Sequence, residues 1–216
     1  MTLLRRTLLQ LSAAGVVSVL AGPPAGRAAA SPRFGVVALV GGSALDAGFL
    51  AGVGPTEGTI SLAAGRSQDW GVLESSLDGL SGRRLVGLLD PGRQAILDTL
   101  LQGRRTRVLC VGEHSGIRHR FATAPAAHGV GTAVARGLSR AGHGHAVQET
   151  GYGENAANGF STVPDLAAAD WAGLVGQALG RVAEGSWEPG ESRHHSRVGS
   201  TSSISNDSLV SFVVHL

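Results

Sequence analysis

Lysine is absent from this chain of 216 residues, so its 18 basic residues are all arginines. A P-loop needs a lysine at the nucleotide phosphates, and enzymes that use pyridoxal phosphate (PLP) need a lysine to form the Schiff base. The sequence therefore excludes a P-loop nucleotide site and a PLP cofactor.

Cysteine occurs once, at Cys110. A single thiol cannot form an intramolecular disulfide, and it cannot supply the ligands of an iron–sulfur cluster. The chain has eight histidines, which leave a metal ion or a histidine-held haem open as cofactors. The sequence itself identifies neither of them.

Concentrated positive charge is missing from residues 31–216. Three of the 18 arginines lie in residues 1–30, and the remaining 15 basic residues are matched by 16 acidic ones. Nucleic-acid-binding proteins need a basic face, so we expect no nucleic-acid partner.

The first 30 residues have the organisation of an export signal. Arg5 and Arg6 precede a mildly apolar stretch, 8–20, which is too short to span a membrane. Ala28-Ala29-Ala30 then provides an A-x-A cleavage signal before residue 31. We expect a signal peptide over 1–30 and no stable membrane span in the rest of the chain.

The paired arginines directly before TLLQ resemble the twin-arginine (Tat) signal, and Arg27 near the cleavage signal is typical of such leaders. Leu4, Leu8 and Gln10 depart from the residues that the Tat pattern favours. The resemblance covers the leader alone. It implies export of the folded protein by the Tat translocase to the periplasm or the exterior, and it favours an exported cofactor-containing enzyme as a partner.

Residues 31–216 are predicted to form a single α/β domain. Apolar runs at 34–41, 58–63, 84–89 and 106–111 alternate with helical patterns. Short connections between them predict βαβ units and a mostly parallel sheet in a three-layer, flavodoxin- or Rossmann-like sandwich, with the strand order left open. The later chain predicts a strand over 118–123, a helix over 129–140, a weak strand over 145–150, a helix over 164–184, a polar mobile segment at about 188–207 and a C-terminal strand in LVSFVVHL.

Ligands of open α/β sheets bind beyond the carboxyl ends of the strands. This rule groups Gly41-Gly42-Ser43 after the first strand with Asp90 after the third strand and Gly112 to Ser115 after the fourth. Gly41, Gly42 and Ser43 open a helix, where free N–H groups can hold an anion. A tight turn capped by Ser43, and a plain N-cap role for Asp90, are the alternatives.

The stretch RVLCVGEHSGIRHR contains Cys110, Glu113 and His114 close together. Cys110 lies inside an apolar run, which favours a buried core thiol over a nucleophile. Glu113 and His114 follow that run and are candidates for acid–base work. An ordinary polar loop is the competing interpretation.

Arg118 and His119 continue the same stretch and are candidates for binding an anionic ligand. His114 and His119 could ligate a metal, and so could His143 and His145, which form an H-x-H pattern. Neither spacing matches a specific metal-binding motif.

Three classes of function remain open. The first is an exported accessory or small-ligand-binding protein, which the leader and the missing catalytic motifs favour. The second is a metal- or haem-binding redox protein that uses histidines. The third is a small hydrolase or transferase with Glu113 and His114 at the rim of the sheet.

Overall fold

A computed structural model of the chain describes residues 34–62, 69–141, 144–152, 157–161, 171–188 and 208–216. These residues form an α/β fold. The strands are β1 (Val36–Val40), β2 (Gly58–Ser61), β3 (Arg84–Leu89), β4 (Arg107–Ser115), β5 (Arg118–Thr123), β6 (Ala146–Gly151), β7 (Ala157–Ser161) and β8 (Ser208–His215). The helices are α1 (Asp46–Val53), α2 (Asp69–Asp78), α3 (Pro91–Leu101), α4 (Val130–Arg140) and α5 (Trp171–Glu184), with a 3₁₀ turn at Pro125–Ala127.

The predicted leader, residues 189–207 of the predicted mobile segment, His143 and the first part of the helix predicted over 164–184 lie outside the described residues. Within the described residues, no helix is both long and apolar enough to cross a membrane.

The described strands form one sheet in the order β2-β1-β3-β8-β4-β5-β6-β7. The pairs β1–β2, β1–β3 and β5–β6 are parallel. The pairs β3–β8, β8–β4, β4–β5 and β6–β7 are antiparallel. The sheet is therefore mixed, and the expectation of a mostly parallel sheet was wrong.

The C-terminal strand β8 is the main physical reason for that error. It inserts between β3 and β4, which are consecutive along the chain, and pairs antiparallel to both. The helix between β3 and β4 predicts a crossover connection, but it carries no information on whether the two strands become direct neighbours. A strand more than 90 residues further along the chain fills the gap.

Two apolar clusters lie on opposite faces of the sheet. On the first face, side chains of α1, α4 and α5 pack against the sheet, with Phe49, Val134 and Val175 among the buried residues. On the second face, α2 and α3 contribute Leu73 and Leu97 to a cluster that covers β1, β3 and β8. We call these the inner face and the outer face.

Helix coverage of the outer face ends near the middle of the sheet. The outer cluster reaches Val111 of β4, which is partly buried against it. Beyond Val111, no helix of the described residues packs on the outer side of β4, β5 and β6, since α4 and α5 both belong to the inner face. Within the described residues, helices therefore cover β1, β3 and β8 on both faces, but β4, β5 and β6 mainly on the inner face.

Helices α1 and α5 lie unusually close to each other. A Cβ atom built on Gly52 of α1 would collide with the backbone carbonyl of Gly173 in α5, and one on Gly176 would collide with the carbonyl of Phe49. Glycine is required at these positions because the two backbones are in contact.

Candidate functional site

The turn after β1 binds its own carboxylate. The backbone N–H groups of Gly42 and Ser43 donate to Asp46 Oδ2 at 2.6 and 3.1 Å, and Ser43 Oγ donates to Asp46 Oδ1 at 2.5 Å. The sequence predicts that the backbone N–H groups of this turn could bind an anion. Those of Gly42 and Ser43 already donate to Asp46. The segment is thus a tight turn, as the alternative interpretation predicts, but Leu45 and not Ser43 is the N-cap of α1, and no side chain caps the helix.

Asp90 acts as the N-cap of α3. Its Oδ1 accepts from the backbone N–H of Arg93 at 2.9 Å, and its Oδ2 pairs with the guanidinium of the same residue at 2.5 Å. Partial burial opposes ionisation of Asp90, but these bonds from Arg93 outweigh it and lower the pKa of the carboxyl. Asp90 is thus occupied in local structure at the edge of the sheet where β1 also ends.

The segment Gly112–Ser115 does not follow β4 but belongs to it. Strand β4 runs to Ser115, and a two-residue turn, Gly116-Ile117, connects it directly to β5. The expectation that Gly112 to Ser115 follow the fourth strand was wrong, whereas the strand predicted over 118–123 is confirmed as β5. A Gly-X pair between alternating segments is a recognised hairpin signal, and sequence analysis missed it.

Side chains alternate between the two faces along this hairpin. Glu113 is exposed on the outer face, whereas His114 is buried on the inner face. On β5, Arg118 and Arg120 are exposed and His119 is buried between them. Because successive strand residues point to opposite faces, the structure does not bring Glu113 together with His114 or His119.

The outer face of the hairpin carries a cleft of about 390 Å³, a volume within the usual range for small-molecule sites. We call it the outer cleft. Its lining residues on the outer face are Val111, Glu113, Arg120, Ala122, Gln148 and Thr150. Phe121 also borders the cleft, although its side chain packs in the inner cluster.

Strand register places the polar groups of the outer cleft in one row. Glu113 lies directly opposite Arg120, and Arg120 lies directly opposite Gln148. Val111, Ala122 and Thr150 form the next row, which is less polar. Arg118 is exposed on the same face two residues before Arg120. Among the described residues, neither Glu113 nor Arg120 takes part in an ion pair.

On the inner face, three histidines and a serine form a hydrogen-bonded row that we call the histidine chain. Ser211 Oγ lies 2.7 Å from His114 Nε2, and His114 Nδ1 lies 2.8 Å from His119 Nδ1. His119 Nε2 lies 2.7 Å from His145 Nδ1. All four side chains are buried, with 0% to 4% of their surface exposed.

The inner face holds the rings of the histidine chain in place by packing. The indole of Trp171, at the start of α5, lies 4.7 Å from the His114 ring and 5.0 Å from the His119 ring between centroids. Phe121 contacts His114 edge-on at 5.5 Å.

Burial keeps the central rings neutral. It lowers the pKa of His114 from 6.5 to about 3. Burial, followed by the neighbouring rings of His114 and His145, also lowers the pKa of His119 well below its ordinary value.

Gly112 makes the first link of the histidine chain possible. A Cβ atom at this position would lie 2.6 Å from Ser211 Oγ, 2.8 Å from Phe121 Cε1 and 3.0 Å from His114 Nε2. Each of these distances leaves too little room for a methyl group. Gly112 on β4 therefore allows the side chain of its neighbour on β8 to reach the first imidazole.

Metal binding by these histidines does not fit the geometry. Two histidine nitrogens on a tetrahedral zinc with bonds near 2.1 Å are separated by about 3.4 Å, whereas the nitrogens in the chain are 2.7 to 2.8 Å apart. His119 also turns a different nitrogen to each neighbour, so the three rings share no common point. Among the described residues, no group of three or more histidine, cysteine or acidic side chains is arranged to hold a metal ion.

Ser211, His114 and His119 follow the order of nucleophile, base and orienting residue in hydrolytic triads. Ser211 is fully buried on the strand between β3 and β4. A triad needs an exposed nucleophile beside donors for an oxyanion, and β8 pairs with a neighbouring strand on each side. The described geometry therefore supports hydrogen bonding more than covalent catalysis.

Cys110 is fully buried in the inner cluster, which confirms its interpretation as a core thiol. Burial, followed by the charge of Glu149, raises the pKa of the thiol far above its ordinary value. A thiol in this environment is a poor nucleophile.

Sequence analysis missed Ser211, Glu149 and Trp171. Glu149 is buried on β6, where it accepts from the N–H of Gly129 at 2.7 Å and from Thr123 Oγ1 at 3.1 Å, beside the start of α4. Its alternation with Val147, which is also buried, was the available signal. Nothing local marks Ser211, because its partner His114 is 97 residues away in the chain.

No protein-family model, curated protein or solved structure matches the chain.

Proposed function

We propose that this protein is an exported binding protein for a small polar ligand that carries an oxyanion, and that the outer cleft is its binding site. The observation that carries the proposal is the half-covered sheet, in which a row of polar side chains lies on a face that no described helix covers. Polar side chains next to an apolar floor are typical of small-molecule sites.

The polar row determines the chemistry of the ligand. Arg120 offers a planar guanidinium that suits a carboxylate or phosphate oxyanion, and Arg118 adds a second positive charge on the same face. Glu113, directly across from Arg120, can accept a hydrogen bond from an ammonium or hydroxyl group. A ligand with both kinds of group matches the row better than a simple anion.

Export is supported by the leader. Arg5 and Arg6, the short apolar stretch and Ala28-Ala29-Ala30 resemble a Tat signal. Under this proposal the protein binds its ligand outside the cytoplasm. It either acts alone or serves an exported cofactor-containing enzyme as an accessory protein.

Calorimetric titration with L-glutamate and succinate tests the binding site. Both probes carry two carboxylates, but succinate lacks the ammonium group from which Glu113 would accept a hydrogen bond. We expect Arg120→Gln to lower the affinity for both probes by roughly tenfold or more, because a hydrogen bond to a charged group contributes about 1.5–3 kcal/mol to binding. Glu113→Gln should lower the affinity for L-glutamate and leave the affinity for succinate unchanged.

Arg105→Gln is the matched control, since Arg105 is an exposed arginine of the connection between α3 and β4 and does not line the outer cleft. Its affinities should equal those of the wild-type chain. Failure of both probes to bind at millimolar concentration would contradict the proposal, as would equal losses from Arg105→Gln and Arg120→Gln.

A further inference from the structure

The outer face of β8, β4, β5 and β6 carries unequal numbers of positive and negative charges. Alternation along the β4–β5 hairpin places Glu113, Arg118 and Arg120 on this face, and all three are exposed. The outer-face residues next to them on β6 and β8 are uncharged: Ala146, Gln148, Thr150, Ser208, Val210 and Phe212. On these four strands, the described residues therefore present two positive charges and one negative charge.

The two arginines of this face are spaced along one strand. Residues two apart in a strand are separated by about 6.7 Å between their Cα atoms, and Arg118 and Arg120 have this relation on β5. His119 between them is fully buried on the inner face. The two guanidinium groups therefore begin at separate points of the sheet, and each can bind an oxyanion of its own.

Each arginine has a different neighbour across the hairpin. Arg120 lies directly opposite Glu113, whereas Arg118 lies directly opposite Ser115, the exposed residue that ends β4. A serine hydroxyl can donate a hydrogen bond to an oxyanion, but it cannot neutralise an arginine. The excess positive charge of the outer face thus belongs to the end of the hairpin, at Arg118.

Ion pairing within the described residues does not remove this excess charge. Arg118 takes part in no ion pair there, and the same holds for Arg120 and Glu113. Two positive charges at neighbouring positions repel each other, and anionic groups that bind beside them relieve the repulsion. All three charges are therefore available to a bound molecule.

A ligand that matches this face carries the opposite set of charges, namely two oxyanions and one ammonium. An α-amino acid has its ammonium and its carboxylate on the same carbon atom, which suits Glu113 and Arg120 because they lie directly opposite each other. The side chain of such a ligand would extend along β5 towards Arg118. A second oxyanion at its end would then meet the arginine that has no carboxylate opposite it.

We propose that the ligand of the outer cleft is an α-amino acid whose side chain ends in a second oxyanion, and that Arg118 selects this ligand by binding that group. The inference rests on the proposed function, since it names the ligand of the same site. Ser115 would donate a further hydrogen bond to the second oxyanion.

Calorimetric titration of the full chain with two pairs of amino acids tests the proposal. L-glutamate and L-glutamine differ in the charge at the end of the side chain, which is a carboxylate in one and an amide in the other. O-phospho-L-serine and L-serine form the second pair, in which the charged group is a phosphate. We expect the charged member of at least one pair to bind roughly fivefold more tightly at low ionic strength, because an exposed ion pair contributes about this factor and salt screens it. The pair that shows the preference identifies the second oxyanion.

Substitution of Arg118 separates its ion pair from the rest of the site. Arg118→Gln should abolish the preference by lowering the affinity for the charged member to that for the neutral member. Arg118→Lys keeps the positive charge and should retain most of the preference. The control variant, Arg105→Gln, removes an exposed arginine that does not line the outer cleft and should keep the full preference.

Two results would overturn this ligand class while leaving the proposed function intact. One is equal affinity for the two members of each pair at a site that still loses binding in Arg120→Gln. The other is a preference that Arg118→Gln leaves unchanged, or that Arg105→Gln reduces to the same extent. Failure of all four amino acids to bind at millimolar concentration would contradict the ligand class and the proposed function together.

Discussion

At the scale of single residues, Gly112 and its two neighbours on β4 show that the two faces of this strand have different roles. Its missing side chain leaves room on the inner face for Ser211 to reach His114. Its neighbours Val111 and Glu113 line the outer cleft. One short stretch of strand thus carries the candidate ligand site on one side and the histidine chain on the other.

Substitution of Gly112 tests this packing. Gly112→Ala should destabilise the fold by about 1–3 kcal/mol, because the added methyl group overfills a tightly packed site. Gly58→Ala is the control, since a Cβ atom on Gly58, also a strand residue, meets nothing within 4 Å. Urea unfolding followed by circular dichroism measures both variants, and equal stabilities of Gly112→Ala and wild type would contradict the tight contact.

The thiol of Cys110 gives a second test at this scale. Burial and a raised pKa predict that a thiol reagent leaves Cys110 unmodified in the native chain at pH 8 and modifies it once urea unfolds the protein. Mass spectrometry of the whole chain reads the extent of modification. Rapid labelling without urea would show that Cys110 is accessible and restore it as a candidate nucleophile.

At the scale of elements, local patterns predict most helices and strands correctly. Apolar runs identify β1 and β3, and the Asp-Pro pair predicts the start of α3. These signals succeed because capping and apolar periodicity act within a few residues. The full length of β4 is not predicted, because Glu113, His114 and Ser115 are polar and the apolar run therefore ends before them.

The burial of His114 and His119 shows why the candidate site was harder to predict than the elements. Alternation along β4 and β5 places each residue on a face, and that information is present in the sequence. The partners that make burial tolerable come from β8 and from the residue just before β6. Their positions depend on strand order, which no local pattern encodes.

The contact between α1 and α5 predicts that alanine substitutions at two glycines of α1 change the free energy of unfolding in opposite directions. Gly52→Ala should destabilise the fold by about 1–3 kcal/mol, because its methyl group would meet the backbone of Gly173. Gly48→Ala should stabilise it by up to about 1 kcal/mol through higher helix propensity, since its nearest neighbour lies 4.0 Å away. Chemical denaturation of both variants measures the difference, and equal effects of the two substitutions would refute the close approach of the helices.

At the scale of the whole molecule, the uneven distribution of the described helices supports the proposed location of the ligand site. The edge at which β1 and β3 end is closed by local bonds from Asp46 and Asp90. On the outer face of β4 and β5, Glu113 and Arg120 take part in no ion pair with any residue that the structure describes. The rule that ligands bind beyond the carboxyl ends of strands applies to parallel sheets, and here β8 and the β4–β5 hairpin interrupt the parallel order.

Mapping of ligand contacts by two-dimensional ¹H–¹⁵N nuclear magnetic resonance distinguishes the two locations in one experiment. Titration of the full chain with L-glutamate should shift the amide signals of Val111, Glu113, Arg120 and Gln148, because these residues line the outer cleft. The amides of Gly42 and Ser43 should keep their positions, since Asp46 already binds them. Shifts confined to Gly42, Ser43 and the start of α3, or a spectrum that L-glutamate leaves unchanged, would contradict binding at the outer cleft.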